Sequence, residues 1–336
     1  MNQAVWIGTY TNGESRGIYR ADFSNGVLRI HNAVLADNPS YLAVNGESLY
    51  AVLETENGRL ASYQIDGEDG LRLTGLQRVL GDAPCHLCVD GRYIYVSNYV
   101  SGSLSVFELD GETAVHARPK VVDHGKEHGA SPEHPHVHYA AATPDGAFVA
   151  VCDLGLNGVA FYPRESLGGI QEPGEWAHMP EGAGPRHAAF GKGTLWYVIC
   201  ELSCEVLTYS GYGASARLLQ RQSLLLAGQQ GSAAAAIRLS PDKTFLLASV
   251  RGADKLFLFD VLPDGALSLP RSCSAGGNWP RDAVFSPDGR YVLCACERDD
   301  RITVFRVHEG GLLFENAVSI PSPVCVCFND RKPGLG

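Results

Sequence analysis

Trp279-Pro280-Arg281-Asp282-Ala283-Val284-Phe285-Ser286-Pro287-Asp288-Gly289-Arg290-Tyr291-Val292-Leu293-Cys294-Ala295-Cys296-Glu297, running on into Arg301-Ile302-Thr303-Val304-Phe305, is the stretch that decides the fold. It reads as a short apolar strand, a Pro-Asp-Gly turn, a second apolar strand, a polar turn, and a strand of alternating character. Related stretches open near Pro39, Pro84, Pro135, Pro185 and Pro323. Between Pro185 and Pro280 one more copy lies at Ile237-Arg238-Leu239-Ser240-Pro241-Asp242. A period of roughly 43 to 51 residues, with about four strand-like runs per copy and no convincing amphipathic helix, is the pattern of propeller blades.

Complete copies start near residues 38, 83, 134, 184, 232 and 279. The C-terminal remainder, Ile320-Pro321-Ser322-Pro323-Val324-Cys325-Val326-Cys327-Phe328, supplies only a first strand. The N-terminus supplies what it lacks: Val5-Trp6-Ile7-Gly8-Thr9-Tyr10-Thr11, a turn, then Gly17-Ile18-Tyr19-Arg20-Ala21-Asp22-Phe23. Pairing the two ends completes a seventh blade and leaves only short, protected edges. The expected fold is therefore all-β, one seven-bladed β-propeller domain over residues 1–336, with the ring closed between the N-terminal strands and the C-terminal strand.

Composition excludes some partners. Lys and Arg number 27 against 37 Asp and Glu, a formal charge of −10, and such a surface repels nucleic-acid backbones. The N-terminus has no basic region followed by an apolar stretch, and no 18-residue apolar run appears later, so no membrane partner and a cytoplasmic location are expected. Ten cysteines would be reduced in that compartment, and the i, i+2 pairs Cys294/Cys296 and Cys325/Cys327 read as strand core. Cys85-His86-Leu87-Cys88 looks like half a zinc site, but no second half follows at the required spacing. The longest irregular stretch, His116 to His134, reads equally as a solvated connection or as a cover for a site.

In a blade the first two strands form an antiparallel hairpin, so the start of the first lies beside the end of the second at one mouth of the ring. The strand starts supply His136, His138, Arg186, His187, Arg281 and Asp282; the strand ends supply Glu54, Asn98, Asp153, Glu201, Arg251 and Glu297. Hairpin geometry pairs His138 with Asp153, Arg186 with Glu201, and Arg281 with Glu297, and ring closure sets Thr9 and Glu54 on the same rim. Each pair could simply tie strands together. As a set, Arg186, Arg251 and Arg281 concentrated at one mouth of an acidic protein offer bidentate donors to a small anion such as a carboxylate or phosphate. The rival reading is a metal held by His136 and His138 with Asp153 or Glu133, but the nearby arginines would repel a cation, so neither a metal nor another cofactor is expected.

Ile7-Gly8-Thr9-Tyr10-Thr11, Asn38-Pro39-Ser40-Tyr41-Leu42-Ala43, Asp153-Leu154-Gly155, Gly184-Pro185-Arg186-His187, Glu201-Leu202, Arg251-Gly252 and Trp279-Pro280-Arg281 together resemble the lactonase family of seven-bladed propellers. The resemblance runs in order through essentially the whole chain. That family includes the bacterial propeller-type 6-phosphogluconolactonases and the fungal carboxymuconate cyclases. The His, Arg, Glu, Arg set proposed for the cyclases would fall on His136 or His138, Arg186, Glu201 and Arg251. The chain departs from the pattern at Val250, where relatives often carry Asn, and at Glu297, where they often carry Gln. The run Ala233-Ala234-Ala235-Ala236 leaves the fifth blade little side-chain chemistry at its strand start.

The resemblance implies hydrolysis of a sugar lactone, with 6-phosphogluconolactone of the pentose phosphate pathway as the favoured substrate. Water attack on the ring carbonyl needs a base, either Glu201 or His138, and an oxyanion stabiliser, Arg186. Arg251 and Arg281 would hold the substrate's charge, with His136, Asp153, His187, Glu297, Glu54 and Asn98 around it. The same pocket could serve a muconate-type cycloisomerase acting on a dicarboxylate. A non-enzymatic binding propeller is the third reading, and the repeats lack the Trp-Asp ending of protein-binding WD blades. Oligomeric state is not legible.

Overall fold

The computed structural model describes residues 2–67, 70–109, 118–127, 134–164, 169–172, 174–225 and 231–329. The strands form seven four-stranded antiparallel sheets arranged as consecutive blades. Six blades are contiguous in sequence; the seventh sets Pro323–Phe328 beside Gln3–Thr9, which continues into Gly17–Ser24 and Val27–Leu35. There Val5 pairs with Phe328 and Ile7 with Val326, the closure expected from the split repeat.

Five inner strands begin on proline: Pro39–Asn45, Pro84–Asp90, Pro185–Phe190, Pro280–Phe285 and Pro323–Phe328. A first-strand position tolerates proline because no ladder bond depends on its missing N–H. The other inner strands are Val137–Ala142 and Ala233–Leu239. The Pro-Asp-Gly turn of the sixth blade closes through Gly289 N–H to Ser286 O at 2.8 Å, and Asp288 accepts the Ser286 hydroxyl at 2.6 Å. In the fifth blade Lys243 takes the left-handed place of that glycine, with φ of 59°.

The core is divided among the contacts between neighbouring blades. Trp196, Tyr209 and Ala188 of the fourth blade pack on Phe161, Cys152 and Tyr139 of the third, and six comparable clusters fill the other interfaces. A blade alone could not bury both faces, so each blade depends on its neighbours for a core. None of the ten cysteines is disulfide-bonded, and seven are buried. The stretch expected to be irregular holds a strand, Lys120–Asp123, which completes the second blade, and a helical turn, His124–Glu127. Residues 128–133, including Glu133, lie outside the described residues.

Two repeated backbone devices build the mouth. First, every inner hairpin shifts register at its start, as between Pro39/Tyr41, Pro84/His86, Val137/Tyr139, Pro185/His187 and Pro280/Asp282. Each bulge leaves one residue without a cross-strand partner and re-aims its side chain. Those residues are Ser40, Cys85, His138, Arg186 and Arg281. Second, in six of the seven blades the residue before the inner strand accepts a backbone hydrogen bond from the residue just past the second strand: Glu54 N–H to Asn38 O at 2.9 Å, Tyr99 to Ala83 at 3.0 Å, Leu154 to His136 at 3.0 Å, Glu201 to Gly184 at 2.8 Å, Glu297 to Trp279 at 3.2 Å and Tyr10 to Ser322 at 3.1 Å. Gly184 sits there with φ of 64°, and a Cβ would lie 2.5 Å from Leu202 Cγ. Glycine takes this left-handed place without strain and leaves room for Leu202; Asn38, Ala83, Trp279 and Ser322 hold the same conformation at other junctions.

Candidate active site

The bulge residues converge on the channel axis. Ser40, Cys85, Arg186, Arg281 and Val324 line a small enclosed space with Tyr41, Glu54, His187 and Asp282; it holds about 10 Å³, room for about one water molecule. One residue further along the strands, Tyr41, His86, Tyr139 and His187 pack ring on ring, with His86 centroids 4.3 Å from Tyr41, 4.6 Å from Tyr139 and 5.2 Å from His187. On their other side opens a cavity of about 570 Å³, lined by Tyr41, His86, Tyr139 and Arg238. The aromatic layer thus separates the polar mouth from the opposite face.

Glu201 is the centre of the mouth. Its Oε2 lies 3.0 Å from Arg186 Nε and 2.7 Å from Arg251 Nη2, with both guanidiniums almost fully buried. The alanine run of the fifth blade supplies backbone in place of side chains: Arg186 Nη1 donates to Ala235 O at 2.8 Å, and Arg251 Nη2 to Ala234 O at 3.2 Å. Burial first, and then the Arg251 charge, push Arg186 down to about 10 despite Glu201. Burial lowers Arg251 as well, against the pull of Glu201. Neither arginine loses its proton at neutral pH.

A second cluster stands beside it. Arg281 Nη2 donates to the Tyr10 hydroxyl at 2.6 Å, which in turn donates to the Glu54 carboxylate at 3.0 and 3.1 Å. Glu297 Oε2 lies 3.8 Å from Arg281 Nη1. Burial opposes the Arg281 charge, but Tyr10, Glu54 and Glu297 more than offset it and raise its pKa. Burial pushes the Tyr10 phenol up, so it stays protonated. The Arg186–Glu201 and Arg281–Glu297 pairs expected from the hairpins both form.

The histidines divide into two roles. His138 is buried, its Nδ1 has no hydrogen-bond partner among the described residues, and its ring lies 5.1 Å from His187 and 5.6 Å from Tyr99. Burial, reinforced by Arg186 and Arg281, drives its pKa well below the ordinary imidazole value. It is therefore a neutral acceptor at pH 7. His187 and His86 are buried and lowered for the same first reason. His136, half-buried, stacks on Tyr99 at 4.5 Å and places Nδ1 3.0 Å from Tyr99 O.

The expected His138–Asp153 pair does not form. Asp153 is fully buried, 2.8 Å from His124 Nδ1, and accepts the backbone N–H groups of His136 and Leu156 at 2.8 and 2.9 Å. Asn98 likewise turns inward, donating to Ser103 and Ser105 at 3.1 and 2.9 Å. Thr9 bonds Ser15 and Gly17 rather than facing the mouth. All three errors are the same one-residue slip. The junction hydrogen bonds make Tyr10, Tyr99 and Leu154, not Thr9, Asn98 and Asp153, the equivalents of Glu54, Glu201 and Glu297, and one residue along a strand reverses the face. Asp282, read at a strand start, pairs inside the channel with Arg238 at 3.1 Å.

Sequence reasoning missed Tyr10, Tyr99, His86, His124 and Trp279. The aligned position just past the second strand would have found Tyr10 and Tyr99. No local signal marked His124, which reaches Asp153 from the fourth strand's end. Trp279 carries Arg251 on its ring at 5.6 Å. Among the described residues no group of three or more His, Cys, Asp or Glu is arranged to hold a metal ion, and no helix is long and apolar enough to cross a membrane.

Residues 4–328 match the family model described as lactonase, 7-bladed beta-propeller. The chain is 34% identical to the 6-phosphogluconolactonase of Bacillus subtilis, over 96% of this chain and 97% of that protein. Among solved structures it is similar to the periplasmic gluconolactonase PpgL of Pseudomonas aeruginosa, with TM-score 0.88 and 31% identity over 98% of this chain and 99% of the other. A Lactobacillus plantarum protein superposes with TM-score 0.90 at 30% identity, over 98% and 99%. Relatives named for lactone hydrolysis thus span nearly the full length of this sequence and share its blades. The chain belongs to the lactonase family of seven-bladed β-propellers.

Proposed function

We propose that this protein hydrolyses a sugar lactone, with 6-phosphogluconolactone as substrate and 6-phosphogluconate as product. The observation that carries the reading is the buried Arg186–Glu201–Arg251 bridge beside a neutral His138 in a mouth closed from below by aromatic rings. The named relatives act on lactones by their names and match end to end, which supports the same class of chemistry here.

Water attacks the ring carbonyl as His138 Nδ1 takes one of its protons. The carbonyl π electrons move to oxygen, where Arg186 stabilises the oxyanion; one such donor is worth roughly 10² to 10³ in rate. Collapse re-forms the carbonyl and breaks the bond to the ring oxygen, which recovers the proton from the His138 imidazolium. The sum is one water added across one ester bond. Glu201 is a poor second base, because one of its oxygens already meets two guanidiniums. Its role is to hold both arginines with their charges aimed at the mouth.

The test is proton release from 6-phosphogluconolactone and from glucono-δ-lactone, followed against spontaneous opening. Acceleration abolished by Arg186→Ala in a folded variant supports the reading. No acceleration by the wild-type protein on either lactone overturns it.

A further inference from the structure

The mouth's own charges are already matched. Arg186 and Arg251 share Glu201, and Arg281 is held by Glu297, Tyr10 and Glu54. Such a floor suits the uncharged, hydroxyl-rich ring of a lactone. A phosphate dianion would have to displace one of these carboxylates, and leaving a buried charge without its partner is costly. The substrate's distal anion therefore needs a cation outside this set.

Arg298, exposed and one residue past Glu297, stands outside it. Its guanidinium carbon lies 3.4 Å from the centroid of the Trp279 ring, the same ring that carries Arg251 at 5.6 Å. The indole thus links the buried clamp to an exposed arginine. Among the described residues Arg298 has no carboxylate within ion-pair distance. Stacking occupies the face of a guanidinium and leaves its edge N–H groups for an anion.

The platform is built by local bonds. Trp279 is held with φ of 63°, a left-handed conformation costly for a bulky residue. Its N–H donates to Asp254 Oδ1 at 2.8 Å and its carbonyl accepts Glu297 N–H at 3.2 Å. Arg298 N–H reaches Asn278 O at 3.3 Å, and Asn278 is fastened to Asp299 by bonds of 2.9 and 2.8 Å. The corresponding junction positions in other blades carry Asn38, Ala83, His136, Gly184 and Ser322. Only this junction joins an indole to an exposed, unpaired arginine among the described residues.

We infer that Arg298, stacked on Trp279, is the residue that recognises the phosphate of a phosphorylated sugar lactone and so sets the preference for phosphorylated over unphosphorylated substrate. The inference rests on the lactonase reading above and reassigns the anion anchor from Arg251 and Arg281.

The experiment compares wild type, Arg298→Gln and Arg298→Lys. Hydrolysis of 6-phosphogluconolactone and glucono-δ-lactone is measured, together with calorimetric binding of 6-phosphogluconate and gluconate. Loss of one charge-assisted contact predicts a roughly tenfold rise in KM and Kd for the phosphorylated compounds in Arg298→Gln, with unphosphorylated values unchanged. Lysine keeps the charge but not the stacked plane, so it recovers only part of the loss. Unchanged discrimination in Arg298→Gln, with lactone opening intact, overturns the anchor and leaves the lactonase reading standing. A wild type that opens neither lactone sinks the lactonase reading. The anchor is then decided by titrating inorganic phosphate into wild type and Arg298→Gln, and equal affinities overturn it.

Discussion

Arg251 of the fifth blade pairs at 2.7 Å with Glu201 of the fourth, so the clamp at the mouth crosses a blade interface. The same carboxylate oxygen meets Arg186 of its own blade at 3.0 Å. One side chain therefore fixes the relative position of two arginines from neighbouring sheets, and its loss leaves two buried cations unpaired.

Glu201→Gln is expected to lower kcat/KM for lactone opening by about 10² to 10³, because the arginines lose their aim. The same change removes one partner of a buried pair, a loss of roughly 3–5 kcal/mol in stability. Urea unfolding and initial rates at a temperature where the variant stays folded measure the two effects separately. A folded variant with wild-type rates would show that the clamp is not part of the chemistry.

His138→Gln should reduce kcat by about 10² to 10⁴ while KM moves little, the signature of a lost proton acceptor. Burial, Arg186 and Arg281 hold the imidazole neutral to well below pH 6.5. The kcat/KM of the wild type should thus stay flat between pH 7.5 and 6.5 and fall only further into acid. An acid limb centred at the ordinary imidazole value would rule His138 out as the base.

Stability should depend on the buried histidines. His86, His138 and His187 all have pKa values driven well below 6.5, chiefly by burial. Below pH 6.5 the unfolded chain takes up protons that the folded chain refuses. Stability is then full above pH 6.5 and declines in acid, by about 1.4 kcal/mol per pH unit for each such histidine. Denaturant unfolding at pH 7.5, 6.0 and 5.0 gives the slope, and His86→Gln should make it shallower by one histidine's share.

Asp153→Asn separates scaffold from site. Asp153 is fully buried and holds His124 and the backbone N–H groups of His136 and Leu156, and it meets none of the ion-paired side chains of the mouth. Stability should drop by roughly 1–3 kcal/mol, the range for a compromised buried hydrogen-bond acceptor. The kcat of the folded fraction should stay within a few-fold of wild type. A selective collapse of kcat without loss of stability would give Asp153 a role in the reaction.

Ring closure depends on the C-terminal strand. Val326 pairs with Ile7, and its N–H donates to Asp282 Oδ2 at 3.0 Å. Val326→Pro removes that donor inside the ring and should cost about 1.5–3 kcal/mol, the range for a hydrogen bond to a charged group, read as a fall in melting temperature. An unchanged melting temperature would mean that closure adds little.

Spacing alone was enough for the blade count and the split seventh blade. A repeat of strand, turn and strand has one way to bury both faces of each sheet, and hairpin pairing makes residues such as Arg186 and Glu201 neighbours from local sequence. Arg281 and Glu297 follow the same rule. Side-chain direction escaped that logic at Asn98, Asp153 and Thr9. Strand ends carry no alternation of their own, and the bulges and junction hydrogen bonds that decide which residue faces the mouth leave no mark in the composition. The alliances across blades were decided by closure alone: Arg251 with Glu201, Tyr10 with Arg281 and Glu54, and His124 with Asp153. Residues from different repeats meet only after the whole ring has packed, so their pairing is a property of tertiary geometry.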